Sequence, residues 1–184
     1  MLCVLLAAVL QIADMARIVD LEEPAISPPG DRVAFVAIVA DAARSAYVNR
    51  LMLVDVRTRR TKTLVQGHDV AVPRWAPRGA RLAYLARPSD SAVRQLFVRN
   101  ADGRTVQLTH LRGDVIDAAW SPDGRALAIV AADVLPPATY FFAGDNDYTA
   151  TALTPPDHLW IVSASGGPTR RLTAGAWTIA PTDP

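Results

Sequence analysis

A single cysteine, Cys3, rules out an internal disulfide, and a single lysine, Lys62, leaves arginine to supply almost all of the positive charge. The formal net charge is only +1 over 184 residues, so the chain has no polyanion footprint and nucleic acid is not an expected partner. Long hydrophobic runs are also missing. The stretch Met1 to Leu10 is well short of the roughly 20 apolar residues that a helix needs to cross a bilayer, so no membrane span is expected. Catalytic signatures are equally scarce. His68, His110 and His158 have no HxxxH spacing or cysteine partner, which gives zinc no ligand set. There is no Gly-x-Ser-x-Gly elbow and no lysine-bearing phosphate loop. Neither a cofactor nor a catalytic residue is expected within these residues.

What the chain does contain is a repeat. Pro24-Ala-Ile-Ser-Pro-Pro-Gly-Asp-Arg-Val-Ala-Phe35, Pro73-Arg-Trp-Ala-Pro-Arg-Gly-Ala-Arg-Leu-Ala-Tyr84 and Ala118-Ala-Trp-Ser-Pro-Asp-Gly-Arg-Ala-Leu-Ala-Ile129 are versions of one unit. Their turn glycines, Gly30, Gly79 and Gly124, lie 49 and 45 residues apart, the period of a four-stranded propeller blade. In each turn a proline (Pro28, Pro77, Pro122) fixes φ and the glycine supplies φ > 0; Asp123 alone is read as adding a side-chain cap. A third-strand run follows each unit, beginning at Leu51, Leu96 and Leu159, and then a fourth ending in Leu64, Leu108 and Leu172. Ala34, Ala83 and Ala128 hold one place in the second strands, as crowding by a neighbouring blade requires.

The expected fold is therefore all-β: a partial, open propeller of four-stranded antiparallel blades with a short N-terminal helix. Three blades fall at about 21–67, 68–112 and 113–175, and Gly175-Ala-Trp-Thr-Ile179 resembles the entry into a fourth. Such an arc has exposed faces, so the chain is expected to be the amino-terminal part of a longer protein. Residues 1–20 have two readings. They are an atypical signal peptide, which would put the protein in the periplasm or outside the cell, or an amphipathic helix with Ile12, Met15, Ile18 and Val19 on one face, in which case a cytoplasmic location is expected. Glu22 and Glu23 are read as preceding the first strand.

Two irregular features remain. Arg57, Arg59, Arg60 and Lys62 crowd the turn between the third and fourth strands of the first blade, where like charge discourages sheet pairing. Ala131 to His158 is an enlarged second-to-third-strand connection carrying Tyr140, Phe141, Phe142, Asp145, Asp147 and Tyr148, an aromatic and acidic set suited either to a ligand or domain interface or to an excursion that packs Tyr140 and Phe141 against the blade edge. The spacing of Asp145 and Asp147 hints at a calcium loop, but the later glycine and glutamate of that loop are missing.

The first unit, following Ala13-Asp-Met-Ala-Arg-Ile-Val-Asp20, resembles the start of the propeller in the prolyl-oligopeptidase superfamily, especially its dipeptidyl-peptidase and acylaminoacyl-peptidase branches. His158-Leu-Trp-Ile-Val162 with Arg170-Arg-Leu-Thr-Ala-Gly175 looks like a further blade of that kind. The turn motif is also similar to that of the Tol-system periplasmic propeller family. The peptidase resemblance implies partners: further blades, and an α/β-hydrolase domain with a serine, aspartate and histidine triad. It also implies that the propeller restricts that triad to short peptides. The Tol resemblance implies a binding propeller without catalysis. Pro29, Arg78 and Ala80 depart from the commoner turn pattern.

Overall fold

The computed structural model describes residues 19–41, 45–89, 92–134, 155–175 and 177–179. Among them are eleven strands: β1 (Val19–Ile26), β2 (Arg32–Asp41), β3 (Ala46–Asp55), β4 (Thr61–Trp75), β5 (Leu82–Arg87), β6 (Gln95–Arg99), β7 (Thr105–Gln107), β8 (Val115–Trp120), β9 (Ala126–Ala132), β10 (Asp157–Ser163) and β11 (Arg170–Arg171). They form an all-β, open propeller of four-stranded antiparallel blades. The first blade is β1–β4 and the third is β8–β11. The second uses the far half of β4 with β5, β6 and β7, so the first two blades form one continuous seven-stranded sheet.

The expected helix is corrected: none occurs among the described residues. Val19, placed on its apolar face, is already extended and pairs with Val39, and Asp20 pairs with Ile38. Pairing with β2 gives this backbone ladder partners that a helix ending at Val19 would forgo. Ile12, Met15 and Ile18 lie outside the described residues. Glu22 and Glu23 are likewise within β1 rather than ahead of it.

β4 serves two blades because it bends. Its register with β5 shifts between His68 and Ala71 and again between Ala71 and Arg74. Asp69 and Val72 have φ of 57° and 53° there. Val72 precedes Pro73 just as Glu23, with φ of 51°, precedes Pro24 beside the register shift of β1. A β-branched residue before proline strongly disfavours this conformation, so the surroundings must hold it. One restraint is visible: the Val72 N–H donates to Glu23 Oε2 at 2.6 Å, tying the two innermost strands together at their bulges.

The core lies between blades rather than within one. Ala34, Leu51 and Leu53 of the first blade pack with Val70, Leu82, Tyr84 and Ala86 of the second. The opposite face of the second blade, with Ala83, Leu85, Leu96 and Val98, packs with Val115, Leu127, Ile129 and Val162 of the third. The period-2 alternation of strands thus gives each blade one face toward its predecessor and one toward its successor.

The three turns share a backbone pattern but not a cap. Gly30, Gly79 and Gly124 have φ of 77°, 77° and 70°. Ser121 Oγ donates to Asp123 Oδ1 at 2.6 Å and accepts the Ala126 N–H at 3.0 Å. Asp123 is not the sole cap, because in the first turn Ser27 Oγ donates to Asp31 Oδ1 at 2.8 Å. The second turn has Ala76 in place of that serine and closes through the Ala76 N–H to the Arg81 carbonyl at 2.9 Å. Gly124→Ala should destabilise by about 1 kcal/mol, since φ > 0 is strained for any side chain. The new Cβ would approach only side-chain atoms of Arg81 and Pro77. Urea unfolding checks the value, and an unchanged midpoint would contradict it.

Candidate functional site

Each blade presents two ends. The turn end carries Pro28, Gly30, Pro77, Gly79, Pro122, Asp123 and Gly124, spaced along the blades rather than gathered into one site. Pro28 and Gly79 do line a common crevice of about 230 Å³ with Ser27, Asp31 and Trp75. Asp123 is held below the ordinary carboxylate range by the Ser121 hydroxyl and the Arg125 N–H. Those bonds are internal to the turn and leave the carboxylate a structural task.

The opposite end, where second strands lead to third and one blade leads to the next, carries the denser electrostatics. Asp69 Oδ2 accepts from Arg87 Nε at 3.0 Å, Arg94 Nε at 3.0 Å and Arg94 Nη2 at 2.6 Å. Arg87 also bridges to Asp114, at 3.3 Å from Nη1. The Arg94 N–H donates to the same carboxylate. Two arginines from the second blade thus clamp Asp69, on the strand entering that blade, to Asp114, on the connection entering the third.

Burial pushes the Asp69 carboxyl up, but the hydrogen bonds and charges of Arg94 and then Arg87 outweigh it and hold it below its usual 3.8. A lowered native value means the clamp contributes its full stability above 3.8 and loses it as pH falls through the depressed value. Asp69→Asn should therefore be less stable than the parent near neutrality. The difference should shrink as an acid titration followed by tryptophan fluorescence descends below that range. A pH-independent difference would show that the carboxylate acts by shape rather than charge.

His158 is fully buried at the start of β10. Its Nδ1 lies 3.2 Å from Thr173 Oγ1, and its Nε2 3.5 Å from Asp133 Oδ2. Asp133 also accepts from Arg171 Nη2 at 2.9 Å, and Trp177 meets the imidazole edge-on at 5.6 Å. The second blade places Gln95 and Thr109 in the same roles. Thr109 Oγ1 donates to Gln95 Oε1 at 2.8 Å and accepts the Leu96 N–H at 2.9 Å, as Thr173 Oγ1 accepts the Leu159 N–H at 3.0 Å. This recurrence makes His158 a staple between third and fourth strands rather than a general base. The signal for it is the repeated Leu-Thr at 108–109 and 172–173. His110 is exposed and contacts Gln107. His68 lies in β4.

Tyr140, Phe141, Phe142, Asp145, Asp147 and Tyr148 lie outside the described residues. The chain departs toward them at Val134, which borders a groove of about 350 Å³ with His110, Arg112, Asp133 and Trp160. Among the described residues no three of His, Cys, Asp and Glu gather as a metal would need. No described helix is long and apolar enough to cross a membrane.

The class defined by these features is an open β-propeller domain. No family model matches the chain. An uncharacterized peptidase of Bacillus subtilis (strain 168), YuxL, is 28% identical over 119 residues, covering 63% of this chain and 18% of its own length. Among solved structures, Pyrococcus horikoshii acylaminoacyl peptidase superposes with a TM-score of 0.66 at 15% identity, over 85% of this chain and 26% of that one. The β-propeller domain of the Trilobed protease from Pyrococcus furiosus, described as having an open velcro topology, gives 0.59 at 16% identity, over 82% and 41%. TolB from Acinetobacter baumannii gives 0.58 at 16% identity, over 86% and 34%. The fold is thus shared with peptidase-associated and TolB propellers alike, and the chain spans under a fifth of its curated relative.

Proposed function

We propose that this chain is the amino-terminal propeller region of a serine peptidase of the prolyl-oligopeptidase kind, whose further blades and α/β-hydrolase domain lie beyond these residues. In that role the propeller admits short peptides and keeps folded proteins from the triad. The observation that carries this reading is the 28% identity over 119 residues to a peptidase of Bacillus subtilis. Blades at about 21–67, 68–112 and 113–175, with a fourth starting at Gly175, fit the same reading. The 131–158 connection would then line the interface with the hydrolase domain, using Tyr140, Phe141, Phe142 and Tyr148.

Extending the reading frame past Pro184 tests the proposal most directly. A Gly-x-Ser-x-Gly elbow followed by aspartate and histidine is expected. The longer product should cleave chromogenic short peptides, and the 184-residue chain should be silent. A second reading, a protein-binding propeller of the Tol type, draws on the comparable superposition of TolB at 0.58. A frame that ends after further blades, with no elbow, would favour it and remove the first.

A further inference from the structure

Two arginines occupy one position of the repeat, and only one of them closes a blade junction. Arg32 and Arg81 each lie two residues after a turn glycine, Gly30 and Gly79. Arg81 crosses to the third blade, where its Nη2 donates to the Gly124 carbonyl and its guanidinium stands 4.9 Å from the Trp120 ring centroid. Arg32 makes neither contact with the second blade. A Cβ built on Gly124 would lie 3.3 Å from Arg81 Nη2, whereas one built on the equivalent Gly79 would meet nothing within 4 Å. Among the described residues, guanidinium groups stack on Trp120 and Trp160 but not on Trp75. Arg32 has instead an exposed ion pair, 3.7 Å from its Nε to Asp31 Oδ2, of a kind that contributes little.

The space that Arg32 leaves open is a cleft at the turn end, between the first and second blades. Arg32 borders three cavities there, of about 450, 260 and 230 Å³. Lys62 lines the two larger ones with it, joined by Arg60 in the first and Arg99 in the second. Arg60, Lys62 and Arg99 have no ion-pair partner among the described residues. The acids on the rim are committed to their own turns. Asp31 accepts the Ser27 hydroxyl at 2.8 Å, Asp55 the Thr58 N–H at 2.7 Å and hydroxyl at 2.8 Å, and Asp102 the Arg104 N–H at 2.9 Å. Four cations therefore line the cleft with no uncommitted carboxylate to balance them. The second cavity also has apolar lining, from half-buried Leu64 and Trp75.

We propose that this cleft binds a small organic anion, its phosphate or carboxylate group held by Arg32 and Lys62 and its apolar part laid against Trp75 and Leu64. Arg32 and Lys62 take the charged group because they border both larger cavities. A guanidinium offers paired donors that match either oxyanion, and the ammonium adds a point charge. The largest cavity falls within the roughly 300–1,000 Å³ of small-ligand sites, which likewise combine apolar walls with a few convergent polar groups. The basic run at 57–62 thereby gains a task beyond discouraging sheet pairing, since Arg60 and Lys62 are part of the lining. The 131–158 connection departs from the opposite end of the blades, so binding in the cleft does not depend on the peptidase reading.

Isothermal titration calorimetry of the 184-residue chain at constant ionic strength should show phenyl phosphate or phenylacetate binding with a Kd below about 1 mM, the tighter of the two identifying the charged group. The corresponding ringless anion, inorganic phosphate or acetate, should bind at least about tenfold more weakly. Arg32→Ala and Lys62→Ala should each weaken binding at least about tenfold and leave the circular dichroism spectrum unchanged. Arg57→Ala removes a neighbouring cation that lines none of the cavities, and should leave the Kd within about twofold because charges outside the site are screened. Tryptophan fluorescence should respond to the ring-bearing anion in the parent and not in Trp75→Phe. The proposal would be overturned by no binding of either ring-bearing anion at about 10 mM, or by equal binding of the ringless one. It would equally be overturned by an equal loss in Arg57→Ala and Arg32→Ala, or by a fluorescence response that survives in Trp75→Phe.

Discussion

Trp120→Ala should lower the unfolding free energy by about 2–3 kcal/mol, read as a shift of the urea midpoint at constant slope. Full burial would put an aromatic truncation at about 3–5 kcal/mol. Trp120 is only half-buried, which reduces the figure, but three contacts end with the ring. Its indole N–H donates to the Arg74 carbonyl of the preceding blade at 2.9 Å. The Arg81 guanidinium stands 4.9 Å from the ring centroid. The ring also packs against the cluster between the second and third blades. Trp120→Phe keeps most of the area and loses only the donor, so it should cost about 1 kcal/mol. Trp75 makes the corresponding bond to Ala25, so its phenylalanine variant should follow the same order. A loss below about 1 kcal/mol for Trp120→Ala would mean that the blades are coupled by their aliphatic clusters alone.

The legible part of the structure was the part that repeats. Three Pro-x-Gly turns set the hairpins because their demands are local and recur at each blade, and the second-strand alanines Ala34 and Ala83 mark a face crowded by the next blade. Non-local demands were read less well. Val19 carries helical periodicity with Ile12 and Met15, yet in β1 it is extended opposite Val39. A partner strand twenty residues away outweighed local pattern. β4 could not be foreseen as one strand of 15 residues. Its continuity depends on Asp69 and Val72 adopting positive φ, which neither residue type announces. The Asp69, Arg87, Arg94 and Asp114 clamp was hidden for a related reason. In an arginine-rich chain no single arginine stands out, and the pairing joins residues up to 27 positions apart. His158 reads in the sequence as an unsupported metal ligand and as the head of a strand run, because its partners Thr173 and Asp133 lie beyond the ends of other strands.

Gly113→Ala should be the most damaging change available among the glycines, at about 3 kcal/mol or more. Its backbone is unexceptional, so the cost arises from space rather than from φ. A Cβ built there would fall on the carbonyl oxygen of Ala132, the last residue of β9, with its carbonyl carbon 2.9 Å away. Overpacking ordinarily costs about 1–3 kcal/mol because side chains can yield. Here the obstacle is backbone, and it is held from both sides. The Ala132 N–H donates to the Asp114 carbonyl at 3.0 Å, and the Asp114 side chain is gripped by Arg87 and Arg94. Relief requires the connection entering the third blade to pull away from β9, which strains that clamp. Since blade stability depends on nearest neighbours, the damage should fall first on the junction between second and third blades. Thermal unfolding followed by fluorescence and by circular dichroism should therefore separate into two transitions in Gly113→Ala, while Gly124→Ala keeps one. A single coincident transition with a shift below about 1 kcal/mol would mean that the connection relaxes freely and that the clamp does not couple the blades.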